Sequence, residues 1–106
     1  MSNRIDELSE KLKLKPDQVF YRFSLAQAYL DEDNHTLACK ELEKCVQAKP
    51  DWLIATLSLG RTYLQLGKIE KAKKNLELSL ELARKQNHDD PAEEAEQLLK
   101  ECNSFY

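Results

Sequence analysis

The sequence predicts an all-α fold of antiparallel helix hairpins stacked in a short array of about six helices. Three observations carry this. First, residues 19–52 and 53–86 repeat one another at an offset of 34, pairing Leu25 with Leu59, Ala26 with Gly60, Tyr29 with Tyr63, Ala38 with Ala72 and Leu42 with Leu76. A fixed period of that size marks a stacked repeat architecture. Second, apolar residues recur at spacings of three, four and seven, the spacing of one helix face. Third, only 2 glycines and 3 prolines punctuate the 106 residues, so connections are short.

The 34-residue pattern resembles the tetratricopeptide repeat. The residues that carry the resemblance are Leu25-Ala26-Gln27-Ala28-Tyr29, Ala38 with Leu42, and Pro50 in one unit. In the next they are Leu59-Gly60-Arg61-Thr62-Tyr63 and Ala72 with Leu76. The sequence departs from the family pattern at the early tryptophan, replaced by Arg22 and Thr56, at the turn glycine, replaced by Asp33 in the first unit, and at the closing proline, replaced by Arg84 in the second. The resemblance implies a right-handed superhelix over a single domain, residues 1–106. It divides into an N-terminal half-repeat helix in 3–18, repeat one in 19–52, repeat two in 53–86 and a C-terminal capping helix in 90–103.

Taken in order, residues 3–14 form a helix with Ile5, Leu8 and Leu12 on one face, ended by Pro16 because the residue before proline avoids the helical region. Asp17 offers a carboxylate to cap the next helix, 18–31. That helix is apolar on two faces. Leu25, Ala26 and Tyr29, with Tyr21 near, should pack inside the hairpin, and Phe20, Phe23, Gln27 and Leu30 form a second stripe. Residues 31–34 turn the chain into a helix over 35–48 that packs Ala38, Leu42, Cys45 and Val46. Pro50-Asp51 repeats the stop and cap before a helix over 52–65. There Gly60 costs about 1 kcal/mol relative to alanine, a cost that close helix approach explains. Gly67 ends it. The helix over 68–86 turns Ile69, Ala72, Leu76, Ser79, Leu80 and Ala83 to its own hairpin, while Leu78 and Leu82 predict an extra helix docked beside it. Asp90 as cap, Pro91 as first residue and Glu93 suit the start of that helix. Its stripe is Ala92, Ala95, Leu99 and Cys102; Phe105 is a further packing candidate.

Charged residues are 33% and apolar ones 42% of the chain, with a net charge of −3, which argues against nucleic acid. No apolar run approaches the roughly 18 residues of a membrane span. Three cysteines without a CxxC pair read as reduced thiols of a cytoplasmic protein. His35 and His88 lie in turns without a metal-ligand pattern, no glycine-rich phosphate loop occurs, and no enzyme activity, metal or cofactor is expected.

Function is expected in protein–protein interaction. In the family resembled here, the first helix of each unit lines a concave groove. Carried over by position, the groove residues are Phe20, Phe23, Gln27 and Asp31 with Leu30 at the edge, then Ile54, Leu57, Arg61 and Gln65 with Leu64 at the edge. Apolar side chains left over after hairpin packing are either covered or offered to a protein or peptide partner. The alternative is a self-associating scaffold, a homodimer whose groove its own copy fills. Trp52 is a possible anchor at the unit junction, or a staple between hairpins. Arg61 can grip a carboxylate, though a plain surface arginine is the simpler reading. Lys68, Lys71, Lys73 and Lys74 lack interleaved aromatics and read as a solvated face.

Overall fold

A computed structural model describes residues 3–104, so Phe105 lies outside the described residues. Six helices follow one another, with no strand among the described residues: α1 Asn3–Leu14, α2 Val19–Asp31, α3 His35–Ala48, α4 Leu53–Gln65, α5 Ile69–Lys85 and α6 Asp89–Asn103. They fall into two compact units, residues 1–50 and 51–106.

In the first unit, α1 packs on α2 through Ile5, Leu8 and Leu12 against Leu25 and Ala28, with Tyr21 and Tyr29 packed beside them. Leu25 and the two tyrosines, expected inside the α2–α3 hairpin, also border the contact with α1. The reason is periodicity. Residues 21, 25 and 28 share one face, whereas 19, 22 and 26 share the adjacent one. That adjacent face meets α3. Arg22 Nη1 bonds Glu41 Oε1 at 2.7 Å, its Nη2 bonds the Pro16 carbonyl at 3.0 Å, and the Cys45 thiol lies 3.9 Å from the Val19 carbonyl. Ala26, Ala38, Leu42 and Cys45 are fully buried.

In the second unit, α4 is flanked by α5 and α6, and every residue from 55 to 60 is buried. The buried hydroxyls need no distant partner. Thr56, Thr62 and Ser79 donate to the carbonyls of Trp52, Ser58 and Asn75 four residues back, at 3.0, 2.8 and 2.7 Å. A Cβ on Gly60 would stand 2.8 Å from Leu76 Cδ2, so the glycine admits α5 as the sequence led us to expect. The predicted extra helix, α6, docks on α5 with Ala95 and Cys102 buried. Leu82 is half-buried there, but Leu78 stays exposed.

The helix ends depart from expectation in one consistent way. Asp17, Asp51 and Asp90 cap nothing: the N-cap residues are Gln18, Trp52 and His88, none with a side-chain cap bond. Each aspartate before α2 and α4 sits one residue too early to reach the orphan amides. Before α6 the displacement has the opposite sense. The chain enters the helix straight from its corner, placing Pro91 third, where its missing N–H still costs nothing. Among the described residues a side-chain cap forms at Asn34, which accepts from the Leu37 amide at 3.2 Å. Corners after α2, α4 and α5 share one device. Asp33, Gly67 and Asn87 have φ of 57°, 59° for the asparagine and 75° for the glycine, and the next residue's N–H reaches back to Tyr29, Tyr63 or Ala83.

Candidate interaction site

The residues expected on the first-helix faces are best followed unit by unit. On α2, Phe20 is 57% exposed with the Lys49 ammonium 5.4 Å from its ring centroid. Phe23, Gln27 and Leu30 are half-buried. Asp31 is exposed, and its carboxylate takes Arg4 of α1 at 3.4 Å. On α4, Ile54 is 49% exposed, Leu64 half-buried and Gln65 exposed. Leu57 is only 3% exposed, so its side chain contributes packing rather than surface. Arg61 Nε meets Glu94 Oε2 of α6 at 2.8 Å. Trp52, half-buried, is the N-cap of α4, and its carbonyl accepts the Thr56 amide and hydroxyl.

Phe20 and Ile54 are equivalent positions at the 34-residue offset, and both expose a large apolar side chain. Other exposed apolar side chains do not repeat in this way: Leu14 matches Ala48, Leu37 matches Lys71 and Leu78 matches Lys44. The ion pairs were missed in sequence. Arg22 with Glu41, Arg4 with Asp31, Arg61 with Glu94 and Arg84 with Glu96 all join one helix to another inside a unit. A signal existed for the first, since an arginine standing at a marker position among apolar residues needs an acid opposite.

Chemistry elsewhere is quiet. Cys39, Cys45 and Cys102 are buried. Burial pushes the Cys45 thiol up to about 11, with Glu41 adding to the rise and the Arg22 charge opposing it. Burial likewise raises Cys102. Such thiols are poor nucleophiles. Lys71, Lys73 and Lys74 line a shallow open depression together with Glu70 and Glu77, so the basic run is interleaved with acids. Among the described residues no group of three or more His, Cys, Asp or Glu side chains is placed to hold a metal, and no helix is long and apolar enough to cross a membrane.

A family model for the tetratricopeptide repeat matches residues 21–51 and 56–86. No curated protein matches the chain by sequence. Several solved structures superpose on it. A tetratricopeptide repeat domain protein from Salinibacter ruber superposes with a TM-score of 0.76 at 24% identity, covering 85% of this chain and 100% of that one. The first such domain of Spaghetti (RPAP3), bound to the HSP90 peptide SRMEEVD, gives 0.81 at 24% identity over 94% of this chain and 75% of that one. PcrH, in complex with the chaperone binding region of PopD, gives 0.85 at 16% identity over 94% and 76%.

Proposed function

The chain belongs to the tetratricopeptide repeat family, and from that premise we propose that it is a protein–protein interaction module taking up a peptide or helix of a partner on its first-helix faces. The observation that carries the reading is the matched exposure of Phe20 and Ile54. Phe20 and Ile54 each leave about half of a large apolar side chain exposed at the same place in both repeats, which is the kind of surface that recognition uses. Structural neighbours named for a bound HSP90 peptide and for a bound region of PopD support the class of ligand and go no further. The contact residues are Phe20, Phe23, Gln27, Leu30 and Asp31 on α2, and Ile54, Arg61, Leu64 and Gln65 on α4. Leu57 backs the second set from within. We assign the protein a scaffold role in the cytoplasm and no catalytic step; buried thiols suit a reducing compartment.

The test is selection of binders from a displayed peptide library on the full chain, followed by affinities for Phe20→Glu and Ile54→Glu. Each substitution should weaken binding about tenfold or more, because a charge lands where apolar surface is buried. Binders indifferent to both would overturn the reading. Sedimentation over a range of concentrations checks self-association as the competing account: a dimer that Phe20→Glu dissociates would favour it.

A further inference from the structure

Within the second unit, the flank that α4 and α6 share sets apolar side chains beside acids. Along α6, residues 90, 94, 98 and 101 recur at spacings of four, four and three, so they form one line. Glu94 on that line meets Arg61 of α4 at 2.8 Å, which sets the line alongside α4, while Glu96 meets Arg84 of α5 at 3.7 Å on the opposite flank. Ile54 and Leu64 stand seven residues before and three after Arg61, on its face of α4. Ile54 is 49% exposed, and Leu64 and Leu98 are half-buried. Asp90 and Glu101 are exposed and, among the described residues, make no ion pair. Resting on the module reading above but carried by this unit alone, we propose that the α4–α6 face takes a basic amphipathic segment of another protein. Its apolar side chains lie against Ile54, Leu64 and Leu98, and the Lys or Arg that flank them point toward Asp90 and Glu101.

The apolar side chains supply the area to bury, and the charges decide what buries it. Beside Arg61 stand three carboxylates, those of Asp90, Glu94 and Glu101, and α6 as a whole carries six acids against Lys100. A cation on the ligand is attracted along this line, whereas an acid there meets a net negative field. Both effects weaken as added salt shortens the screening length from about 10 Å at 0.1 M. The helix dipole accounts for Asp90 in the first turn of α6, but it disfavours Glu101 in the last, where the carbonyl ends gather. On α5 the balance is reversed, five bases against three acids, so the negative sign belongs to this face and not to the unit as a whole.

The probes are peptides selected from the displayed library on the full chain, sequenced and then titrated from about 0.05 to 0.5 M NaCl. Selection should enrich Lys or Arg next to Leu, Ile, Met or Phe. The double variant Asp90→Asn/Glu101→Gln should weaken binding about fivefold at low salt and flatten the salt dependence. Ile54→Gln should weaken it about fivefold at every salt concentration. As a control of equal charge change, Glu77→Gln/Glu81→Gln on α5 should alter affinity less than about twofold. Circular dichroism melts of each variant check that the fold is retained. Binders that need Ile54 but carry acids or no charge, and that ignore Asp90→Asn/Glu101→Gln, overturn this inference and leave the module standing. So do binders that need Phe20 and ignore Ile54. Basic binders weakened equally by the α5 control respond to net charge rather than to this face, and overturn it as well. A library that yields no binder overturns both readings. A second copy of the chain is the remaining occupant: a dimer that competes with the peptides and dissociates with Asp90→Asn/Glu101→Gln would replace the partner proposed here.

Discussion

Gly60 shows how little room a helix contact can leave. Its absent Cβ would meet Leu76 Cδ2 and Cγ at 2.8 and 2.9 Å, and Leu76 is fully buried. Gly60→Ala gains about 1 kcal/mol of helix propensity. It loses more than that to overpacking, about 1–3 kcal/mol. We expect a net destabilisation in urea unfolding, partly relieved by adding Leu76→Val, because the two sites share one contact. The equivalent place in the first repeat holds Ala26, also fully buried. The same substitution that the first repeat carries natively is thus expected to damage the second. A gain in stability from Gly60→Ala would show that the α4–α5 contact is looser than these distances.

At the scale of the element, one polar residue near each helix start is not equivalent to another. Asn34 caps α3, whereas Asp17 and Asp51 cap nothing. Asn34→Ala should cost about 1 kcal/mol, while Asp17→Ala and Asp51→Ala should stay within about 0.5 kcal/mol, since neither side chain holds a cap bond. Thermal melts of the three variants separate the cases, and equal losses would contradict the assignment. The same contrast shows what was legible in sequence. The six helices were, because apolar spacing and the proline at 16 and 50 act over many residues at once. Cap identity was not. It turns on a single residue's φ and ψ, and a run such as Pro50-Asp51-Trp52 is compatible with a cap at either of its last two positions. The contact of Leu25 with α1 was not legible for a related reason: a helix apolar on two sides does not announce which neighbours each side meets.

For the molecule as a whole, the repeat made the candidate faces legible, while their electrostatics depended on residues far apart in the chain. Nothing in the sequence ties Asp31 to Arg4 or Arg61 to Glu94, 27 and 33 positions away. Global stability should also carry a mark of the buried thiol. Cys45 ionises at about 11 in the folded chain against 9.0 ordinarily. Below pH 9 both states hold the proton. Between 9 and 11 the unfolded state releases it first, so stability falls as pH rises through this window, by on the order of 2 kcal/mol. Urea midpoints for wild type and Cys45→Ala should converge as pH climbs from about 8 to about 11, the variant starting lower because it leaves a gap beside Leu42 but losing less along the way. Parallel curves would mean that this thiol does not govern the alkaline limb.

The corners at Asp33, Gly67 and Asn87 reach further than their size. Each is held by main-chain atoms, through an amide that reaches back to Tyr29, Tyr63 or Ala83, and each asks of its side chain only that it tolerate a left-handed backbone. Three different amino acids meet that demand here. Selection acting on such a bend can let its identity wander among glycine, asparagine and aspartate without altering the path of the chain, so kinship between repeats is written in what the helices bury and is almost erased where they reverse.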